Sequence, residues 1–164
     1  MEISFSPSAD YAAHGRERTQ GGDDLATVSR ADLRWYYFLG HLSITHSGTE
    51  IGPPWGWVPL FDAMYCVRQV MDFAQGGDAL GRIDFTENDE SISFERDQAG
   101  GLRMSPSYLA AESELRCPAA EFLSAGTGFI RTQLLRVMTD YPDLTRNHDT
   151  RALARDVGLE VPEA

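Results

Sequence analysis

The sequence predicts an α+β protein: a mainly antiparallel sheet of about five or six strands, two main helices packed on one face, and a short C-terminal helix. Two long stretches repeat apolar residues at helical spacing, shorter stretches alternate apolar and polar residues, and turns rich in Gly and Asp separate them. The 164 residues are expected to form a single domain. Within it we expect a partly mobile N-terminal segment over 1–25, a core over 26–158 and a flexible tail over 159–164.

The chain is strongly acidic, with 25 Asp and Glu residues against 14 basic residues, all of them Arg, and a net charge of −11. Such a surface repels phosphate backbones and anionic lipids, so we expect no direct nucleic-acid binding and no membrane binding. No basic stretch leads into an apolar run at the N-terminus, and no apolar run is long enough to cross a bilayer. We therefore expect a cytoplasmic protein, in which Cys66 and Cys117 are reduced thiols.

The N-terminal third begins with a short strand at best over 1–6, followed by a polar loop over 7–24. Apolar and aromatic residues then occur on both faces of an extended pattern over 26–45, which predicts a strand covered on two sides, either continuous or broken at Gly40. A turn at His46-Ser47-Gly48 ends it.

The central helix is expected to begin near Trp57 or Val58, after the rigid bend at Pro53-Pro54, and to end before Gly76-Gly77. Its apolar residues form one broad arc, as expected for a helix that packs against the core. Phe61 and Tyr65 fall outside the arc, so they are either covered by a neighbouring element or offered to a partner.

An antiparallel meander follows, with strands over 80–85, 91–96 and 102–105. A second long helix is expected to start at Cys117-Pro118 and to end at Pro142. Gly126 and Gly128 lie inside it, and close packing of the helix backbone is the usual reason for such glycines. A third helix is expected over 150–157, with Asp149 as its N-cap and Gly158 as its stop.

Motifs for catalysis or cofactor binding are not found in this sequence. The four histidines lack metal-ligand spacing, no Gly-x-Ser-x-Gly occurs, and Gly126-Thr127-Gly128 lacks the third glycine of a dinucleotide fingerprint. We therefore assign no catalytic residue, no metal and no cofactor. The competing interpretation is a small enzyme whose site is assembled from scattered residues such as His41, His46, Asp62 and Asp72.

A cluster of carboxylates marks the predicted hairpin between the two long helices. Its members are Asp84, Glu87, Asp89, Glu90, Glu95 and Asp97, with Arg96 as the one base among them. A charged hairpin edge that resists aggregation explains the cluster. The functional alternative is an acidic binding surface that attracts a basic protein by complementary charge.

Trp55 and Trp57 flank Gly56 in the loop before the central helix and form the second candidate partner-binding feature. Tryptophans at a helix start commonly cover the core. If they are exposed, they are well suited to anchor an interface.

Two aromatic segments carry a resemblance to known proteins: Arg34-Trp35-Tyr36-Tyr37-Phe38-Leu39-Gly40 and Trp55-Gly56-Trp57-Val58-Pro59-Leu60-Phe61-Asp62. They resemble a group of small uncharacterised bacterial proteins over about residues 34–141. More loosely, the acidic α+β character is similar to immunity proteins of bacterial toxin systems. This second likeness implies an inhibitor without catalysis that covers a basic toxin, often a nuclease.

These observations favour a non-catalytic acidic protein-binding protein, most concretely an immunity-type inhibitor of a basic bacterial toxin. Besides the small enzyme, the alternatives are a nucleic-acid mimic and a regulatory binding module.

Overall fold

The computed structural model describes residues 1–8, 23–86, 88–110 and 113–161. It contains eight strands over these residues: β1 (Glu2–Pro7), β2 (Leu39–His46), β3 (Thr49–Glu50), β4 (Val58–Pro59), β5 (Arg82–Asp84), β6 (Ser91–Arg96), β7 (Gly101–Pro106) and β8 (Leu115–Pro118). Four α-helices accompany them: α1 (Arg30–Tyr36), α2 (Leu60–Ala74), α3 (Ala119–Asp140) and α4 (His148–Asp156). A short 3-10 helix, Pro142–Thr145, connects α3 to α4.

The strands form two antiparallel sheets of four strands each. In the first sheet β2 pairs with β1, β3 and β4, and the second has the order β5-β6-β7-β8. The α+β class and the antiparallel pairing are thus confirmed, whereas the prediction of one sheet with five or six strands is wrong. Helix α2 follows β4 and precedes β5, and it contacts β2 and β4 of one sheet and β5 of the other. Hydrophobic periodicity predicts where strands occur, but it does not determine which strands pair with each other or how many sheets they form.

Residues 30–36 are helical, which corrects the first half of the strand prediction over 26–45, whereas β2 confirms a strand in the second half. Ser29 caps this short helix: its Oγ accepts a hydrogen bond from the Asp32 amide at 3.1 Å and donates one to the Asp32 carboxylate at 2.7 Å. Phe38 then adopts a φ of 56°, a left-handed conformation that reverses the chain into β2. A segment this short fits either a strand or a helix by pattern alone, and here the cap selects the helix.

Helix α2 buries the predicted apolar arc, but it begins two residues later than Val58. Val58 and Pro59 pair with Gly40 and Leu39, so these two residues extend the first sheet instead of the helix. Phe61 is fully buried, and Tyr65 is half-buried beneath Arg30 and Arg34, whose guanidinium carbons both lie 5.4 Å from its ring centroid. Neighbouring elements therefore cover both residues that fall outside the arc.

Helix α3 packs closely against α2 at Gly126. A Cβ atom at Gly126 would lie 2.8 Å from Met71 Sδ and 3.1 Å from Val67 Cγ1, whereas nothing lies within 4 Å of a Cβ at Gly128. The close-packing explanation therefore holds for Gly126 and is wrong for Gly128. Pro118 is the N-cap of α3 and Cys117 lies buried in β8, so the helix begins directly after the predicted start at Cys117-Pro118.

Asn147, and not Asp149, caps helix α4. Its Oδ1 accepts from the amides of Asp149 and Thr150 at 3.0 and 3.1 Å, and its Nδ2 donates to the carbonyls of Leu25 and Val28, both at 2.9 Å. Asn147 is 1% exposed, so a single buried amide ties the segment before α1 to the C-terminal helix. Gly158 ends the helix with a φ of 64°, as predicted.

Both ends of the described chain contribute to the core. Ile3 and Phe5 of β1 are buried, and so are Leu25 and Leu159. The remaining parts of the predicted N-terminal segment and tail, residues 9–22 and 162–164, lie outside the described residues.

Candidate functional site

Trp55 lies at the centre of a cluster of aromatic rings. The cluster joins the loop before β4 to the segments that follow β5 and β7. Its ring centroid is 5.2 Å from that of Phe85 and 5.3 Å from that of Tyr108, with both rings edge-on to it, and the Phe85 and Tyr108 centroids are 6.0 Å apart. Such edge-to-face pairs add about 0.5 to 1.5 kcal/mol each beyond the area that they bury. Trp55 thus joins the loop before α2 to the second sheet.

Two polar contacts fix the loop that carries Trp55. The backbone oxygen of Trp55 lies 3.2 Å from His41 Nδ1, and the Tyr108 hydroxyl donates to the Ile51 carbonyl at 2.5 Å. Burial, and then the negative charge of Glu90, raise the pKa of Tyr108, so its hydroxyl keeps the proton that it donates. These two contacts hold the loop at Trp55 and at Ile51.

Trp57 stacks on the outer side of this cluster. Its ring lies 6.4 Å from that of Trp55 at an interplanar angle of 28°, and 41% of the residue is exposed. The two tryptophans therefore differ. Trp55 is half-buried and packs against the other rings, as expected for a tryptophan that covers the core, whereas Trp57 is exposed to solvent. We call Trp55, Trp57, Phe85 and Tyr108 the aromatic platform.

Three of the predicted acidic residues border this platform. Asp84 and Glu90 flank Phe85 at the turn between β5 and β6, which the Phe85 amide closes by donating to the Glu90 carbonyl at 3.1 Å. Asp89 precedes Glu90 and is exposed, while Glu87 lies outside the described residues. We call Asp84, Asp89 and Glu90 the acidic turn. It adjoins the aromatic platform through Phe85.

Glu95 and Asp97 lie elsewhere. Strand β6 runs from Ser91 to Arg96, and at roughly 3.3 Å per residue it carries Asp97 about 20 Å away from the acidic turn. The five predicted carboxylates that the structure describes therefore do not form one patch.

Most of these carboxylates already have partners within the chain. Asp84 pairs with Arg82 Nε at 2.5 Å, Glu90 accepts from the Ser107 hydroxyl, and Glu95 pairs with Arg103. Asp97 Oδ1 accepts from the amides of Ala99 and Gly101 at 2.9 and 2.7 Å, which closes the turn after β6. Asp89 is the exception among the described five: it has no hydrogen bond or ion pair within the described part of the chain.

A buried ion pair joins α1 to α2. Asp62 is 4% exposed, and Arg34 Nε donates to its Oδ1 at 2.7 Å, with a second contact from the same guanidinium. Burial raises the pKa of Asp62, and the nearby Arg34 opposes that rise. The pair positions two helices and faces the interior.

The two free cysteines are poor nucleophiles. Burial, and then Asp62, raise the pKa of Cys66 to about 12, while burial and then Glu121 raise that of Cys117 to about 11. Both thiols remain protonated near neutral pH, and only the thiolate attacks.

The residues considered for a scattered enzyme site have separate partners. His41 contacts Trp55, His46 Nδ1 lies 3.5 Å from Glu121, and Asp62 binds Arg34. Asp72 accepts the Gly77 amide through its backbone carbonyl. Within the described ranges, no three His, Cys, Asp or Glu side chains group in a way that could hold a metal ion.

Sequence reasoning missed Phe85 and Tyr108 as members of the site. Phe85 ends a predicted strand, and Tyr108 lies in the connecting segment that follows the meander. Tyr108 bonds to Ile51, 57 residues earlier, so local pattern carries no signal of the contact.

A scan against protein-family models, a search of curated proteins and a search of solved structures each found no match to this chain. None of the helices in the described residues is both long and apolar enough to cross a membrane.

Proposed function

We propose that this protein is a non-catalytic binding protein that docks a basic protein through the aromatic platform and the acidic turn. The observation that carries the proposal is the position of Trp57, an exposed indole stacked on a fixed Trp55 and bordered, through Phe85, by carboxylates.

This arrangement fits what protein interfaces use. Tryptophan is enriched among the few residues that supply most binding energy, and a ring fixed before binding loses little conformational freedom. Trp57 is held against Trp55, which itself packs on two further rings. The platform therefore offers a rigid apolar anchor.

The charge of the chain favours a basic partner. A net charge of −11 draws a cationic protein toward the surface and repels other acidic proteins. At the platform itself, Asp89 is free to pair with a partner's Arg or Lys, whereas Glu95 and Asp97 are engaged within the chain. Charge thus speeds association, and Trp57 holds the complex together.

In its most concrete form, the proposal is an immunity-type inhibitor of a basic bacterial toxin that acts in the cytoplasm. Such a protein needs a rigid acidic surface and no reacting group. The protonated thiols and the internally paired Asp62 agree with binding instead of catalysis.

The test begins with a basic protein captured on the immobilised chain from a lysate of the source cells at low salt. Its association and dissociation rates are then measured against three variants. We expect Asp89→Arg to slow association about tenfold at low salt and Trp57→Ala to speed dissociation at least tenfold. Glu2→Arg makes the same charge change on β1 and is the control. Glu2 pairs with Thr45 near one end of β2, whereas β4, which follows Trp57, pairs with Leu39 and Gly40 at the other end. We expect a smaller, salt-screened change from it.

The proposal fails if no basic protein is captured, or if Asp89→Arg and Glu2→Arg change the association rate equally and Trp57→Ala changes neither rate. If a basic protein is captured and the variants behave as expected, rescue of cells from the toxicity of that protein separates an immunity function from other binding roles.

A further inference from the structure

The C-terminal end of α4 forms one wall of an open cavity of about 480 Å³. Arg151, Arg155, Gly158, Leu159, Glu160 and Val161 line it. Small-molecule sites have volumes of roughly 300 to 1,000 Å³, so this cavity is large enough for a small ligand.

The wall of the cavity is built firmly. At the end of α4 the Leu159 amide donates to the Ala154 carbonyl at 2.8 Å and the Gly158 amide donates to Arg155 at 3.0 Å, while Gly158 takes the left-handed conformation. Leu159 is 8% exposed, which anchors the segment that turns away from the helix.

Arg151 and Arg155 lie one helical turn apart on α4 and both line the cavity. Neither guanidinium has a hydrogen bond, an ion pair or a ring contact within the described residues. The other described arginines, except Arg68, are engaged: Arg30, Arg34, Arg82, Arg103, Arg116 and Arg146 with carboxylates, Arg131 with carbonyls, and Arg96 and Arg136 over aromatic rings. Two adjacent unpaired guanidiniums are unexpected in a chain with 25 acidic residues.

Stabilisation of the helix end does not explain these two arginines. A cation near a helix C-terminus usually offsets the negative end of the helix dipole. Here Arg131 of α3 already donates to the carbonyls of Val157 and Gly158, at 3.4 and 3.3 Å. Arg151 and Arg155 therefore remain available for another anion.

We propose that this cavity binds a small organic anion, with Arg151 and Arg155 holding its phosphate or carboxylate group. Guanidinium groups bind both oxyanions through paired N–H donors. Leu159 and Val161 provide an apolar surface for the rest of the ligand, and Glu160 provides an acceptor for a ligand hydroxyl or amine. The site is separate from the aromatic platform and does not depend on it.

The probes are inorganic phosphate and succinate, titrated separately into the folded, isotopically labelled chain at low ionic strength while backbone amide shifts are recorded. We expect at least one of them to shift the amides of Gly158 and Leu159 saturably. Saturation by phosphate alone identifies a phosphate site, and saturation by succinate alone identifies a carboxylate site.

Five variants test the assignment. Arg151→Gln with Arg155→Gln should weaken binding about tenfold or more, and each single change should weaken it less. Glu160→Gln should tighten binding about two- to threefold, since it removes a like charge. Arg116→Gln removes an exposed guanidinium that pairs with Glu114 and should leave binding unchanged. The proposal is overturned if neither probe saturates these shifts, or if the double variant binds as tightly as the parent.

Discussion

Trp55 and Phe85 meet edge-on, with ring centroids 5.2 Å apart and ring planes at 87°. Trp55 lies in the loop before α2, and Phe85 lies at the start of the turn that bears Asp84 and Glu90. Their contact unites two features that are 30 residues apart in the sequence, the tryptophan loop and the acidic hairpin, on one side of the molecule. The proposed binding face exists because of it.

The two tryptophans are predicted to differ in their effect on stability. Trp55→Ala removes a ring that packs on Phe85 and Tyr108, so it should lower the free energy of unfolding by about 3 kcal/mol. Trp57→Ala removes a ring that is 41% exposed and should cost about 1 kcal/mol or less. Urea denaturation of both variants checks this. Equal losses would mean that Trp57 also covers the core.

The Arg34–Asp62 pair is predicted to be costly to break. Arg34→Met leaves a buried carboxylate without its partner and should cost about 2 to 3 kcal/mol, the lower end reflecting the partial solvation of the guanidinium. Adding Asp62→Leu should recover part of that loss. Arg116→Met, which breaks an exposed pair with Glu114, is the control and should cost about 0.5 kcal/mol or less.

The same variant should show a characteristic pH dependence. The pKa of Asp62 is raised in the folded state, so the folded state binds more protons than the unfolded state above the ordinary value of 3.8, and this group's contribution to stability falls as pH rises through that window. Removing Arg34 removes the interaction that lowers the pKa of Asp62, so this pKa rises further in the folded variant. The pH range over which the folded state binds the extra proton therefore extends to higher pH. The deficit of Arg34→Met relative to the parent should therefore be larger at about pH 8 than at about pH 4.5. A deficit that is constant with pH would show that Asp62 gains no protons when Arg34 is removed.

Both cysteines should resist thiol reagents while the chain is folded. The pKa is raised to about 12 for Cys66 and to about 11 for Cys117, and both side chains are buried. At about pH 8 we expect reaction with an aromatic disulfide to be at least about a hundredfold slower than in denaturant, with Cys117 reacting before Cys66. Rapid modification of either thiol without denaturant would contradict the burial described here.

The two glycines of α3 should respond oppositely to alanine. Gly128→Ala enters open space inside a helix and should raise the free energy of unfolding by about 1 kcal/mol. Gly126→Ala gains the same helix propensity, but its Cβ would lie 3.1 Å from Val67 Cγ1, so Val67 must shift and the gain should be lost. Thermal melts of the two variants measure the difference. Equal stabilisation would show that the α2–α3 contact relaxes freely.

Element type followed from the sequence wherever a long pattern was unambiguous. The apolar arcs predicted α2 and α3, alternation predicted β6 and β7, and Gly158 predicted the end of α4. The prediction was wrong at α1, because the pattern of a seven-residue segment fits a strand as well as a helix and its Ser29 cap decides between them. It was wrong at the cap of α4, because Asn147 is chosen by its contacts with Leu25 and Val28, which are distant in sequence.

The α+β class, the net charge and the positions of most helices and turns could be predicted from the amino-acid sequence, because composition and periodicity are local properties of the chain. Three features required the folded chain: the strands form two sheets, Trp55 packs while Trp57 is exposed, and Asp89 lies in the turn that follows Phe85 while Asp97 closes a distant turn. The same holds for the guanidinium groups of Arg151 and Arg155, which have no partner among the described residues. These features depend on contacts between residues far apart in the chain, and local pattern does not encode such contacts.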